Sequence, residues 1–430
     1  MSNSTERRVA IVAGCRTPFV RAGGEFKDLG AVEMGRAAVT ELIARSGVDP
    51  REVREMVFGC VITPVRSPNV AREVALASSL PRDVPGFTVN RACASANQAI
   101  VSAAEGIACG QYDTAIAGGA ESLSEVPILW SRPAAQAIVA AGKARGIAAK
   151  VGAFSKVRPR DLLPVPPAIA EHSTGLTMGQ SAEKMAKENR IGREEQDRFA
   201  LASHLNAAKG WETGVLRAET VTVWAPPKFD RHCDRDNQIR ADTTYEALAK
   251  LPPVFDRRHG SVTAGNTSPL TDGAAAVLLM AGAKARALGI EPLGYIRSYA
   301  FAATDPWGQL LMGPAYAAPV ALDRANLTLA EMDLIEMHEA FAVQVLSNIQ
   351  AFESAAFARE KLGRDKPLGE VDRSKLNVHG GSIALGHPFG ATGARMVTQL
   401  LCELKRRNGR FGLLTVCAQG GMGCAMVLER

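Results

Sequence analysis

The sequence predicts an α/β protein made of two similar halves, with a large inserted block in the first half. Apolar runs of strand length alternate with segments of helical spacing, which is typical of a mostly parallel sheet covered on both faces by helices. The order of these elements occurs twice, and residues 129–255 have no counterpart in the second half. At 430 residues the chain is also too long for one ordinary core.

The first half begins with an apolar run, RRVAIVAG, that has the length of a strand. The next segment, AVEMGRAAVTELIARSG, has helical spacing and ends at Gly47, a residue that commonly stops helices. VDPREVREMVFG then leads into a second strand. The following segments predict a strand (FTVN), a helix (ASANQAIVSAAEGIACG) and a strand with a Gly-rich exit (DTAIAGGAE).

The second half repeats this order. Its segments are LGYIRSYAF (strand), GPAYAAPVALDRAN (helix), LTLAEMDLIEMHEAF (short helix and strand) and LNVHGGSIALGHPFGATGARMVTQLLCELKRR (strand, turn and long helix). GSVTAGNTSPLTDGAAAVLLMA and FGLLTVCAQGGMGCAMVLER match each other as strand, Gly-rich turn and strand. This pattern indicates one long internal duplication rather than a short-period repeat. A functional site between the two halves is therefore expected.

We expect three units: an N-terminal half of residues 1–128 plus 256–283, an inserted domain of residues 129–255, and a C-terminal half of residues 284–430. The inserted block is rich in proline and contains amphipathic stretches such as PAAQAIVAAGKARGIAAK, which predict a mostly helical, loop-rich lobe. An insertion of this size usually covers a site or forms an interface.

Composition narrows the class of protein. Hydrophobic residues make up 47% and charged residues 22% of the chain, which is typical of a globular protein. The net charge of +6 is mild and spread out, so it does not favour nucleic-acid binding and fits an anionic ligand equally well. The beginning of the chain shows no secretory signal, and no apolar run is long enough to cross a bilayer, so membrane contact is not expected.

The cysteines favour a reducing, cytoplasmic setting. The chain has eight, at positions 15, 60, 93, 109, 233, 402, 417 and 424, and none forms a C-x-x-C pair. Their spacing matches neither a disulfide framework nor a zinc site, so no metal is predicted. Most are expected to be small buried hydrophobes.

Cys93 stands apart because it lies between the FTVN strand and a helix that begins near Ala94. The start of a helix presents unpaired N–H groups and the positive end of its dipole, which favour a thiolate and lower the pKa of a thiol. Small neighbours leave room for a substrate. Taken alone, however, Cys93 fits a buried structural cysteine better.

Three further residues occupy comparable places in the second half. His387 lies in the Gly-rich turn that corresponds to the turn of Cys93, so duplicated halves would bring a nucleophile and a base together. His338 ends a strand, and Cys417 ends another at a Gly-rich turn whose N–H groups suit an anion. The alternatives are an ordinary turn for His387, a core histidine for His338 and a plain hairpin for Cys417.

Four motifs in this order, C-A-S-A, H-E-A-F, G-H-P-x-G-A-T-G-A-R and C-A-x-G-G-M-G, resemble those of the thiolase family. The resemblance runs from VAIVAGCRTPF to AMVLER and implies a duplicated, five-layer αβαβα fold with an inserted loop domain. His338 stands where many thiolases carry Asn. Together with DPWGQLLMGPAYA, it is similar to the β-subunit type of trifunctional β-oxidation complexes.

The resemblance implies an acyltransferase, a 3-ketoacyl-CoA thiolase that cleaves its substrate with CoA in fatty-acid β-oxidation and needs no cofactor. It implies that Cys93 is the acylated nucleophile, that His387 takes its proton, and that Cys417 exchanges the proton of the acetyl-CoA α-carbon. His338, directly or through a water that it holds, would join His387 in one oxyanion hole for the thioester enolate. The backbone N–H groups of Cys93 and Gln419 would form a second.

By the same resemblance, Met178, Arg240 and Ser268 line the path of CoA. Arg240 would pair with phosphate by charge, the alternative being a solvated surface arginine. The resemblance further implies a homodimer or homotetramer, and a hydratase/dehydrogenase subunit is a candidate partner. Two other functions stay open: a biosynthetic acetoacetyl-CoA thiolase that condenses two acetyl-CoA, and a non-catalytic subunit that binds CoA or lipid.

Overall fold

The structure, a computed structural model, describes residues 8–165 and 170–430. Its strands are β1 (Val9–Arg16), β2 (Val20–Arg21), β3 (Glu55–Gly59), β4 (Gly86–Val89), β5 (Thr114–Glu121), β6 (Val223–Ala225), β7 (Arg231–Cys233), β8 (Thr271–Ala281), β9 (Gly294–Ala303), β10 (Leu334–Met337), β11 (Phe411–Ala418) and β12 (Met422–Glu429).

The α-helices of the described residues are α1 (Ala31–Ser46), α2 (Val70–Ala77), α3 (Ser95–Ala108), α4 (Arg132–Lys143), α5 (Ile147–Gly152), α6 (Met178–Asn189), α7 (Arg193–Glu212), α8 (Val215–Glu219), α9 (Tyr245–Ala249), α10 (Gly282–Ala287), α11 (Gly313–Ala325), α12 (Ala342–Glu353), α13 (Ala355–Leu362), α14 (Ser382–Leu385) and α15 (Thr392–Arg407). Gly47 follows α1 in the left-handed conformation, as its sequence position predicts.

The strand order of the two halves demonstrates the duplication. The first half has the order β4-β3-β5-β8-β1 and the second has β10-β11-β12-β9, with β9 beside β1. The directions also match, because β3 and β5 are parallel like β10 and β11, and β5 and β8 are antiparallel like β11 and β12. Each half is therefore a mixed sheet, not the mostly parallel sheet expected from the alternation of strands and helices.

One predicted strand, LNV in the second half, is reduced to a single parallel bridge between Leu376 and Ile335. This bridge occupies the place that β4 has beside β3. The next residue, Asn377, has a φ of 45° and bonds the N–H and C=O of Met337 through its side chain, at 2.8 and 2.9 Å. Its amide group thus replaces the backbone pairing that a strand would provide.

A second correction concerns the inserted block. The segment GSVTAGN, expected to be a strand, forms turns, and β5 is the true counterpart of β11. The insertion therefore lies inside the β5–β8 hairpin, because the strands that flank it pair with each other. Its described residues are mainly helices and loops, as predicted, and they also include a small β6–β7 hairpin that was not expected.

Side chains on the two faces of the sheets define five layers. Apolar residues of α3 and α15 share one core with the inner faces of β3, β5, β8, β11 and β12. The opposite face of the first half packs against α1 and α2, and that of the second half against α11 and α12. The layer order is therefore αβαβα, with α3 and α15 between the sheets. The loops that precede α3 and α15 therefore lie near each other at the centre of the molecule.

A buried ion cluster holds the inserted block against the first half. Arg16, at the end of β1, is only 1% exposed and bonds Glu219 at 2.7 Å and Asp236 at 2.7 and 2.9 Å. The indole N–H of Trp211 also donates to Asp236, at 3.1 Å. Pulling the block away would leave these charges buried without partners, which is strongly destabilising. The ion cluster therefore anchors the block firmly. None of the described helices combines the length and apolar character required to span a bilayer.

Candidate active site

A pocket of about 400 Å³ lies where the two halves and the inserted block meet. Among the residues predicted from the sequence, it is lined by Cys93, Met178, Ser268, His387, Cys417 and Gln419. Much of the remaining lining is apolar and includes Phe255, Leu270, Leu311, Phe341 and Phe389. Met178 and Phe255 belong to the inserted block, so this block forms part of the pocket wall.

A sharp turn presents Cys93 to the pocket. Between β4 and α3, Ala92 adopts a φ of 45°, which is costly for a residue with a side chain. The Ser95 hydroxyl supports the turn by accepting the N–H of Arg91 at 2.8 Å and donating to the C=O of Ala92 at 2.6 Å. The Asn90 side chain accepts the N–H of Ala92 at 3.0 Å. These bonds offset the strain of the turn and direct the thiol toward the pocket.

Burial raises the pKa of the Cys93 thiol to about 12. The backbone N–H groups of Gln419 and of Cys93 itself bond the sulfur and act in the opposite direction, but more weakly. The expectation that the helix start would lower this pKa is therefore wrong in sign. Desolvation destabilises the thiolate by more than the two N–H donors stabilise it. The thiol is neutral at rest and must transfer its proton to a base as it attacks.

His387 provides that base. Its Nδ1 lies 2.7 Å from the Thr392 hydroxyl, and that hydroxyl donates its single hydrogen to the C=O of Pro388 at 3.0 Å. Thr392 can then only accept from His387, so the proton of the ring sits on Nδ1. Nε2 is left as a buried acceptor with no partner in the part of the chain that the structure describes. Burial, reinforced by nearby Arg395, lowers the pKa of His387 to about 3, so the ring is neutral at rest.

His338 lies directly beside His387, with ring centroids 4.1 Å apart. Cys93 Sγ and one ring nitrogen of each histidine all lie within 4.8 Å of one another. Burial, then the neighbouring His387 and Arg395, keep the pKa of His338 well below its ordinary value. Among the described residues, this trio is the group of three that could hold a metal ion, with a sulfur and nitrogen donor set that suits zinc. The absence of a resident metal stays a prediction.

Cys417 is the penultimate residue of β11 and lies opposite Gly423 of β12, and it is 1% exposed. Burial, together with the nearness of Cys93, raises the pKa of its thiol far above the ordinary value. The turn that follows depends on glycine, because Gly421 has a φ of 72° and a Cβ there would lie 2.3 Å from the Thr304 oxygen. Gln419 is tied to the inserted block by a 2.9 Å bond from its side-chain amide to the C=O of Ala170.

Comparison with known proteins agrees with this site. The sequence profile described as "Thiolase, N-terminal domain" matches residues 9–283, and that of "Thiolase, C-terminal domain" matches residues 290–430. The chain is 53% identical over 422 residues to a protein named 3-ketoacyl-CoA thiolase from Yersinia enterocolitica, covering 98% of this chain and 97% of the relative. This chain belongs to the thiolase family.

Solved structures show the same relationship. The Bacillus anthracis acetyl-CoA acetyltransferase superposes with a TM-score of 0.83 at 34% identity, over 99% of this chain and all of that one. Human mitochondrial 3-ketoacyl-CoA thiolase superposes with a TM-score of 0.83 at 30% identity, over 99% of both chains. The protein is thus an acyltransferase with the thiolase fold, as the motifs predicted.

The three residues predicted to bind CoA lie in two different places in this thiolase. Met178 begins α6 and Ser268 donates its N–H to the C=O of Ala340 at 3.0 Å, so both face the pocket. Arg240 is exposed and does not line the pocket. Its backbone N–H donates to His204 Nδ1 at 3.3 Å, and its role in CoA binding stays a prediction.

Several residues that hold the reactive side chains in place were not among those predicted from the sequence. The buried Glu121 carboxylate accepts the N–H groups of Val61, Ile62 and Gly390 at 2.8–3.0 Å and so joins β5 to the loop of His387. Ser382 and Arg395 lie behind His338. Glu121 stands in the segment GGAES, Ser382 comes shortly before the motif G-H-P-x-G-A-T-G-A-R and Arg395 is its last residue, so their sequence context was a usable signal.

The alkylation of Cys93 by iodoacetamide is expected to accelerate about tenfold per pH unit from about pH 7 to about pH 10. Only the thiolate reacts, and the pKa of Cys93 is raised to about 12, so its thiolate fraction keeps growing over this whole range. Mass spectrometry of the Cys93 peptide measures the rate. N-acetylcysteine serves as the control and should level off near its ordinary pKa of about 8.5. A plateau for Cys93 at that same pH would contradict the expectation.

Proposed function

We propose that this thiolase cleaves 3-ketoacyl-CoA with CoA, giving acyl-CoA and acetyl-CoA in fatty-acid β-oxidation through an acyl-Cys93 intermediate. One observation carries the proposal: a nucleophile from the first half meets His387 and Cys417 of the second half in one pocket. The names of the 53% identical relatives support the ketoacyl substrate. The protein's own thiols and imidazoles, together with CoA, supply all the reactive groups, so the proposed reaction needs no cofactor.

The first step forms a bond between Cys93 Sγ and the C3 carbonyl carbon of the substrate. The thiol proton goes to His387 Nε2, which is the unpartnered acceptor. The C3 oxygen becomes an alkoxide, for which the backbone N–H groups of Cys93 and Gln419 are the donors. Both N–H groups already bond the Cys93 sulfur, so they converge on the place where that charge develops.

Collapse of this intermediate breaks the C2–C3 bond. The electron pair moves into the departing acetyl-CoA as an enolate, whose oxygen is held by Nε2–H of His338 and of the now protonated His387. The Cys417 thiol gives its proton to the enolate carbon. Acetyl-CoA leaves, and the enzyme holds an acyl-Cys93 thioester, an imidazolium and the Cys417 thiolate.

The second step restores the resting enzyme. An incoming CoA thiol gives its proton to the Cys417 thiolate, and its sulfur attacks the acyl-Cys93 carbonyl. Cys93 leaves as a thiolate and recovers its proton from His387. Both cysteines and both histidines end in their starting states, so the cycle balances without an external acid or base.

Biosynthetic condensation of two acetyl-CoA is the second candidate, and the likeness to a bacterial acetyl-CoA acetyltransferase favours it. Measuring kcat/KM on 3-ketoacyl-CoA substrates of increasing chain length distinguishes the degradative from the condensing enzyme. We expect kcat/KM to rise by up to about fourfold for each methylene that enters the apolar pocket, since burial of a methylene contributes about 0.8 kcal/mol. Activity confined to acetoacetyl-CoA would instead support the condensing enzyme.

A non-catalytic subunit that binds CoA or lipid is the third reading, and the assembled reactive groups weigh against it. We further propose a cytoplasmic homodimer or homotetramer, with a hydratase/dehydrogenase polypeptide as a candidate partner. Exposed apolar side chains on α4 and α5, namely Ile138, Val139, Ile147 and Val151, are consistent with such contacts. Purification from native extract without a second polypeptide would count against a stable partner.

Three structural units remain part of this proposal: residues 1–128 plus 256–283, 129–255 and 284–430. Residues 1–7 and 166–169 lie outside the described part of the chain. The pairing of β5 with β8 supports joining the two pieces of the N-terminal half, because together they complete one sheet. The strand order of the second half supports its treatment as a separate unit.

A further inference from the structure

A buried network of polar side chains contacts Nδ1 of His338. His338 Nδ1 is 3.0 Å from the Ser382 hydroxyl, and Arg395 Nη2 donates to that hydroxyl at 3.3 Å. Arg395 is held in turn by Gln399 at 3.2 Å and Glu336 at 3.4 Å. None of these five side chains is more than 3% exposed, so bulk water does not compete for their bonds.

The hydrogen atoms of this polar network determine which nitrogen of His338 is protonated. A serine hydroxyl has one hydrogen and can accept two bonds, and Arg395 can only donate. Arg395 therefore uses an acceptor position of Ser382 and leaves the serine hydrogen free. Among the described residues, the acceptor within reach of that hydrogen is His338 Nδ1. The ring then carries its own proton on Nε2, which is buried and has no partner among the described residues.

We propose that Ser382, oriented by Arg395, is a positioning residue that keeps His338 in the Nε2–H form so that it donates to the enolate oxygen. The inference rests on the proposed function, in which His338 serves the carbon–carbon cleavage step. It also explains why two adjacent imidazoles have different surroundings. Thr392 makes His387 an acceptor at rest, whereas Ser382 makes His338 a donor.

Pairing the two tautomers has a chemical benefit. The rings lie 4.1 Å apart, and if both Nε2 atoms presented lone pairs, neither could stabilise an oxyanion before His387 is protonated. With His338 fixed as a donor, one bond to the thioester oxygen is ready from the moment of binding. The second is supplied when His387 takes the Cys93 proton.

The Ser382→Ala variant tests the inference in two reactions. We expect kcat for thiolysis to fall about 10–100-fold, as is common when a residue that orients a catalytic imidazole is lost. The exchange of CoA with acyl-CoA uses Cys93 and His387 but breaks no carbon–carbon bond, so its rate should change by less than about threefold. Ser382→Thr retains a hydroxyl and should restore most of the thiolysis.

Ser298→Ala is the matched control, since Ser298 is a buried serine of β9 whose hydroxyl donates only to the C=O of Ala321, at 2.6 Å. It should leave both reactions unchanged. A direct readout is the ¹⁵N spectrum of histidine-labelled protein, with the His338 signals assigned from His338→Asn. The pattern should indicate Nε2–H in the parent chain and a mixture of tautomers in Ser382→Ala.

The possible outcomes distinguish a failure of the positioning role from a failure of the proposed function. Equal losses in both reactions of Ser382→Ala, or full thiolysis, would overturn the positioning role. A His338 signal with the proton on Nδ1 in the parent chain would also overturn it, even if Ser382→Thr failed to fold. If His338→Ala, which has no side-chain donor, retained full thiolysis, the role of His338 in the proposed mechanism would fail first, and the inference with it.

Discussion

Replacing Cys93 by alanine is expected to lower kcat for thiolysis by about 10⁴-fold or more, because the variant has no atom that can hold the acyl group. His387, Cys417 and the backbone donors would remain, but both half-reactions pass through the Cys93 sulfur. The measurement is CoA-dependent loss of 3-ketoacyl-CoA. Trapping with acyl-CoA adds a second readout, since the parent chain should gain one acyl group on the Cys93 peptide and the variant none.

Cys109→Ala is a suitable control for this substitution. Cys109 follows the opposite end of α3, the helix that begins just after Cys93, and its side chain is exposed. The control should retain its activity and its acylation at Cys93. If Cys93→Ala kept even a tenth of the parent kcat, the covalent mechanism would be wrong.

Replacing Cys417 by alanine is expected to lower kcat for thiolysis by about 10²–10⁴-fold, the usual contribution of a general acid or base. Without this thiol nothing in the proposed mechanism protonates the enolate carbon. The loss should be selective, since exchange between CoA and acyl-CoA moves no proton to or from carbon. CoA is a thiol that ionises readily in water, so exchange should fall far less than thiolysis.

Cys424→Ala controls for the loss of a buried cysteine from the same hairpin. Cys424 lies on β12 opposite Val416 and is fully buried. It should affect stability about as much as Cys417→Ala and leave thiolysis nearly intact. Wash-in of deuterium from solvent into the acetyl-CoA methyl group completes the test, because this exchange should vanish in Cys417→Ala alone. Persistent wash-in would show that another group acts on the carbon.

Local patterns in the chain were sufficient to recognise most elements and the reactive residues. Helix α1 with its Gly47 stop, strands β9, β11 and β12, and the Cys93 turn all depend on neighbours within a few residues. The failures share a different cause. GSVTAGN was matched to the wrong partner because strand pairing across the insertion, β5 with β8, is a long-range choice that no local pattern expresses.

The protonation of the site also depends on residues far along the chain. The strand-to-helix turn of Cys93 was predicted correctly, but the direction of its pKa was not, since the burial that raises it comes from many distant segments. Glu121 escaped notice for the same reason. Its carboxylate accepts hydrogen bonds from the N–H groups of Val61 and Ile62, about 60 residues away in the sequence, and of Gly390, 269 residues away.

The amino-acid sequence by itself therefore determined which reactive groups this thiolase possesses and the order of elements that carries them, because both follow from residue identity and local spacing. Only the tertiary structure decided which nitrogen of each histidine bears a proton and that both thiols are neutral at rest. Those properties depend on single hydrogen bonds and on the exclusion of water, and both arise only when the two halves and the inserted block close around the pocket.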